Sequence, residues 1–84
     1  MKQTPIISIE KAAYHEPYFI TFRFSDGLVR TVDFGLFLRT AKNPMTKKYL
    51  DTKLFKNFTI EHGDIVWNDY ELCFPIWNLY EGQI

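Results

Sequence analysis

Apolar and polar residues alternate from Tyr18 to Phe24, so that Tyr18, Ile20, Phe22 and Phe24 share one face of an extended strand while Thr21 and Arg23 point away. Phe24-Ser25-Asp26-Gly27 follows, with Gly27 free to take positive φ and Ser25 and Asp26 able to hydrogen-bond nearby backbone, so the chain reverses there. A two-residue Asp26-Gly27 turn would set Arg23 opposite Arg30, an unfavourable like-charge pair. A three-residue loop with Gly27 left-handed pairs Phe24 with Leu28, Thr21 with Thr31 and Ile20 with Val32, and is the preferred register.

The same reasoning carries along the chain. A first strand is expected over Ile6 to Lys11, opened by Pro5, with the turn at His15-Glu16-Pro17 and a third strand from Leu28 to Val32. Asp33 is placed to N-cap a helical turn whose Phe34, Phe37 and Leu38 follow i, i+3, i+4 spacing. Asn43-Pro44 reads as N-cap and first helical residue, with Met45, Tyr49 and Leu50 turned inward and Lys47 and Lys48 toward water. Asp51 or Thr52 caps a further turn carrying Leu54, Phe55 and Phe58. Gly63-Asp64 suggests a type II′ hairpin pairing His62 with Ile65 and Ile60 with Trp67, with Phe58, Ile60, Ile65 and Trp67 on one face. After a turn at Asn68-Asp69, Tyr70, Leu72 and Phe74 alternate as a last strand. Pro75 then opens a helix with Ile76, Leu79 and Tyr80 inward and Gly82 at its end. The expected fold is α+β, a small antiparallel sheet built from hairpins with short helices packed on it, as a single domain over residues 1–84.

Composition sharpens this picture. A chain of 84 residues buries roughly 60% of its unfolded surface, so eight Phe, five Tyr and two Trp are needed largely for the core. A single cysteine, Cys73, rules out an intrachain disulfide and fits a reducing cytoplasm. No segment reaches the roughly 18 apolar residues of a membrane span, and no apolar signal segment follows Lys2. Net charge is zero but unevenly placed. Residues 1–38 balance; 39–56 hold Arg39, Lys42, Lys47, Lys48, Lys53 and Lys56 against Asp51, for +5; and 57–84 hold Glu61, Asp64, Asp69, Glu71 and Glu81 with no Lys or Arg, for −5.

Candidate chemistry is sparse. His15, His62 and Cys73 lack the spacing of a metal-ligand set, His62 is expected on the core face, and Cys73, between Leu72 and Phe74, reads as an inert thiol in apolar surroundings. Ser8 and Ser25 have no nucleophile-elbow glycines, Asp64 and Asp69 suit turns, and no glycine-rich phosphate cradle exists. Asn57-Phe58-Thr59 matches a glycosylation acceptor but lacks a secretory context. No catalytic residue, cofactor or metal is expected. Tyr49 and Phe55 interleave with the lysines of 39–56, a pattern that can track a phosphate backbone. Helical spacing turns those aromatics inward and leaves the lysines as a solvated face, which disfavours nucleic acid. The basic face is instead available to an acidic surface, on a protein partner or on the acidic third of a second copy, which admits a homodimer.

The ordered set Phe24-Ser25-Asp26-Gly27, Val32-Asp33-Phe34, Leu50, Phe55, Gly63, Ile65, Trp67, Leu72, Leu79, Tyr80 and Gly82 resembles the small bacterial family known as domain of unknown function 2442. That family's fold is similar to the N-terminal domain of a structurally characterised nitrifier protein. The resemblance implies an α+β fold with antiparallel sheet and no established enzymatic activity. It also implies frequent pairing with a second small protein, in modules that look like toxin and antitoxin; some members add a helix-turn-helix domain, which is not expected after Ile84. Tyr70-Glu71-Leu72-Cys73-Phe74-Pro75 stands where the family usually has a polar turn. The leading expectation is therefore a non-enzymatic, cytoplasmic interaction domain that binds a small protein partner through Arg39, Lys42, Lys47, Lys48, Lys53 and Lys56. The alternative is a small-ligand site walled by Trp67, Trp77 and Tyr80.

Overall fold

The computed structural model describes residues 7–68 and 70–84. Two three-stranded antiparallel sheets carry the α+β fold. The first is ordered β1 (Ile9–His15), β2 (Phe19–Phe24), β3 (Val29–Asp33), and the second β4 (Phe58–Glu61), β5 (Asp64–Trp67), β6 (Leu72–Cys73). Between them run α1 (Gly35–Thr40), α2 (Pro44–Lys47), a 3-10 turn over Lys48–Leu50 and α3 (Thr52–Phe55); α4 (Ile76–Glu81) closes the chain.

The Phe24–Gly27 turn takes the three-residue form. Phe24 N–H donates to the Leu28 carbonyl at 2.8 Å, Gly27 N–H returns to the Phe24 carbonyl at 2.9 Å, and Gly27 sits at φ 94°. Thr21 faces Thr31, their hydroxyls 2.8 Å apart, and Ile20 faces Val32. This register buries Ile20, Phe22 and Phe24 completely.

The first strand lies later than the pattern suggested. It runs through His15, because Ala12 and Tyr14 pair with Phe22 and Ile20 and extend the ladder to the Glu16–Pro17 connection. The expected opening at Pro5 and Ile6 lies outside the described residues, as does Asp69. The third strand is offset by one residue, ending at Asp33.

The second hairpin departs from expectation in register but not in face. Its turn is His62-Gly63, both at positive φ (55° and 82°), the signature of a type I′ turn, so Ile60 pairs with Ile65 and Phe58 with Trp67. Moving the turn back by one residue shifts each pairing by two, and an even shift preserves which side chains face the core. His62 consequently occupies the exposed turn rather than the core face. Tyr70, also at positive φ, belongs to the turn before β6 and is exposed.

Caps set the helical middle. Asn43 Oδ1 accepts from Met45 N–H at 2.9 Å and Asp51 Oδ1 from Lys53 N–H at 3.0 Å, starting α2 and α3. Asp33 Oδ1 accepts from Gly35 N–H at 2.8 Å, although Phe34 occupies the cap position of α1. Pro75 likewise precedes α4 as its N-cap residue rather than its first helical residue, and left-handed Gly82 ends it. The short turns cannot bury every apolar residue: Tyr49 and Phe55 enter the core, whereas Met45, expected inward, stays exposed, as does Leu54.

One buried cluster draws on both sheets and the helical segment. At its centre Trp67 stacks on Phe55 at 5.7 Å between ring centroids and meets Phe34, Tyr49, Phe58 and Phe74 edge-on. Its indole N–H donates to the Phe55 carbonyl at 2.6 Å.

Candidate functional site

Residues 39–56 form the helical strip between the two sheets, and its cations follow the short elements. Arg39 lies in the last turn of α1, Lys42 before α2, Lys47 at its end, Lys48 in the 3-10 turn, Lys53 in α3 and Lys56 just beyond it. All six are exposed. Arg39 folds back: a Cβ placed on Gly35 would lie 2.9 Å from its Nη1 and 3.1 Å from Asp33 Oδ1, so the glycine makes room for both side chains. Among the described residues, only Lys48 of these six enters an ion pair.

That pair belongs to a polar cluster the sequence did not signal. Glu71 Oε1 accepts from Lys48 Nζ at 2.7 Å, Tyr49 Oη at 2.7 Å and Asn68 Nδ2 at 3.1 Å. These bonds, the Lys48 bond foremost, hold the Glu71 carboxyl down to about 2, and burial followed by the Glu71 bond pushes the Tyr49 hydroxyl up to about 12. A strand reading of Tyr70 to Phe74 directs Glu71 outward; the left-handed residues Asn68 and Tyr70 bring it back over the helical strip. Beside the cluster is a cavity of about 180 Å³ lined by Lys48, Tyr49, Leu54, Asn57, Trp67 and Asn68.

The three aromatics proposed as pocket walls are not gathered into one site. Trp67 is fully buried in the core, whereas Trp77 is exposed on α4 and packs edge-on against Tyr80 at 5.3 Å. Tyr80 donates its hydroxyl to Asp26 Oδ2 and packs on Phe24, which fixes α4 against the first hairpin turn. That bond lowers the Asp26 carboxyl below its ordinary value and raises the Tyr80 hydroxyl. Asp26 Oδ1 accepts from Leu28 N–H and Ser25 Oγ from Ser8 N–H, so both polar residues of the turn serve structure.

His15, His62 and Cys73 occupy a strand end, a turn and β6, and no group of three or more His, Cys, Asp or Glu is arranged to hold a metal among the described residues. Cys73, expected in apolar surroundings, is exposed and lines a second cavity of about 310 Å³ with Asp64, Val66, Phe74, Pro75 and Ile76. Ile65-Val66-Trp67 carried the signal for that cavity: three consecutive apolar residues in a strand require cover on both sheet faces. No helix among the described residues is long and apolar enough to cross a membrane.

The family model described as a protein of unknown function, DUF2442, matches residues 9–84. The chain belongs to that family. The match spans both sheets and all the helical elements, so the matched stretch contains the residues of the Glu71 cluster and of both cavities. No curated protein and no solved structure matches the chain.

Proposed function

We propose that this chain is a non-enzymatic interaction domain of a small bacterial protein, acting in the cytoplasm as the antitoxin-like half of a two-protein module. Its partner is a small protein with an acidic surface. One observation carries the reading: the helical strip and the start of α1 leave Leu36, Met45 and Leu54 exposed at 67%, 51% and 41%, among cations of which only Lys48 is paired within the described chain. Protruding aliphatic side chains ringed by charge have the anatomy of an interface, an apolar centre with a polar rim. Membership of DUF2442 supports the reading through the pairing that its resemblance implies.

Co-expression with the product of the adjacent gene tests it. The expected result is a 1:1 complex whose dissociation constant rises tenfold or more in Met45→Glu, with growth arrest by the partner relieved by the intact chain only. No complex at micromolar concentrations, or one indifferent to Leu36→Glu and Met45→Glu, would overturn it.

A second reading rests on the 180 Å³ cavity, where Lys48, Asn57 and Asn68 offer polar contacts to a small polar molecule above Trp67. Native mass spectrometry would show a constant mass increment that Asn57→Leu removes.

A further inference from the structure

The outward face of the second sheet carries a feature the basic strip does not explain. Val66 points away from Ile65 and Trp67 yet is only 1% exposed, and it floors the 310 Å³ groove flanked by Cys73, Phe74, Pro75 and Ile76. On that same face Glu61 and Asp64 sit directly opposite each other across β4 and β5. Like charges in that position are unfavourable, and neither joins an ion pair among the described residues. Glu61 has only the Thr59 hydroxyl, at 3.2 Å. The groove is thus apolar at its floor, with Asp64 on its rim and Glu61 beside Asp64 on the neighbouring strand, within a stretch of sequence that has no Lys or Arg.

We propose that a second copy of this chain fills it, docking its basic helical strip, Met45 foremost, into the acid-rimmed groove beside Val66. The strip and the α1 turn that leads into it supply what the groove lacks: protruding Leu36 and Met45 on α1 and α2, which pack together, with Lys42 and Lys47 exposed beside them. The groove lies at the low end of the roughly 300–1,000 Å³ typical of ligand pockets, a size for a few side chains rather than a folded element. A net charge of zero removes the mutual repulsion that keeps strongly charged proteins apart. The contact is proposed as head-to-tail, which leaves one strip and one groove free at the ends, so assembly continues past a dimer unless it closes into a ring.

This inference shares the basic strip with the partner reading but rests on the groove, and its test uses the full chain alone, so the two fail separately. Sedimentation velocity over a concentration series at low salt is expected to show mass growing beyond the dimer and retreating at high salt. A strip variant, Met45→Glu with Lys47→Glu, and a groove variant, Glu61→Lys with Asp64→Lys, are each expected to be monomeric. Mixed, they are expected to form one 1:1 heterodimer and nothing larger, since each retains the surface the other has lost. The groove variant keeps a like-charged pair in the hairpin, so its fold is not penalised anew. Cys73 gives an independent reading on the unaltered chain: its alkylation rate is expected to fall several-fold as concentration rises. A wild-type monomer throughout, either variant alone still self-associating, a mixture that stays monomeric, or a Cys73 rate independent of concentration would each overturn the proposal.

Discussion

Glu71 gathers Lys48, Tyr49 and Asn68 on one oxygen, tying the helical strip to the turn before β6. Its carboxyl is held at about 2 against an ordinary 4.5, so the stability this provides is fully present above about pH 4.5 and is lost as pH falls through about 2. Glu71→Gln removes that titration. Its thermal midpoint is expected to lie below that of the wild type at neutral pH and to converge with it near pH 2, with parallel curves counting against the cluster. Tyr49 has the opposite sign: raised from 10.0 to about 12, its hydroxyl favours the fold below pH 10 and withdraws that contribution as pH rises through 12. Tyr49→Phe should flatten the alkaline limb alone. Trp67 tests packing rather than charge. Trp67→Ala opens the centre of the aromatic core and is expected to cost about 3–5 kcal/mol in urea unfolding. Trp67→Phe, which keeps a ring but leaves the Phe55 carbonyl without its donor, should cost about 1–3 kcal/mol.

The two hairpin turns meet across the start of β1. Ser8 takes a bond from Ser25 N–H at its carbonyl, and Ile9 N–H donates to the Gly63 carbonyl at 2.8 Å, so one short segment joins both sheets. Gly27 and Gly63 both have positive φ, but a Cβ at Gly27 meets open space while one at Gly63 would fall 2.5 Å from Ser8 Cβ. Gly27→Ala is therefore expected to cost only the left-handed penalty of about 1–2 kcal/mol, and Gly63→Ala clearly more, since the junction between sheets must also move. His62→Asn should stabilise by about 0.5–1 kcal/mol, because Asn accepts the left-handed conformation of the first type I′ position more readily. Equal losses at the two glycines would refute this account of the junction. The turns also show what the sequence could reveal. Ladder parity made the core face of β4 and β5 legible, and the caps at Asn43 and Asp51 were legible because their bonds reach only two residues ahead. The His62-Gly63 register, the later course of β1 and the Glu71 cluster were not. They depend on Ser8 meeting Gly63, on pairing with β2, and on a left-handed turn that overrides the alternation of Tyr70, Leu72 and Phe74.

Charge organises the whole molecule through what it leaves unneutralised. The +5 strip and the −5 final third share one polypeptide, yet among the described residues only Lys48 and Glu71 close the division. The lysines are therefore not equivalent, although no spacing in the chain separates them: Lys48 acts in the fold, while Lys42, Lys47, Lys53 and Lys56 are exposed and enter no ion pair among the described residues. Reversing Lys48 to Glu sets it against Glu71, and is expected to lower the thermal midpoint while leaving the rate of association with an acidic partner within about twofold. Reversing Lys47, Lys53 and Lys56 together should do the converse. The thermal midpoint stays nearly fixed, because solvated charges contribute little to folding, while the association rate drops tenfold or more at low salt. That loss should shrink steadily toward physiological ionic strength, where a screening length of about 8 Å already isolates exposed charges from a partner still approaching. Stopped-flow association across a salt series, beside thermal melts of the same variants, separates the two roles. A single pattern of effects for all four lysines would mean that the strip acts through its apolar side chains alone.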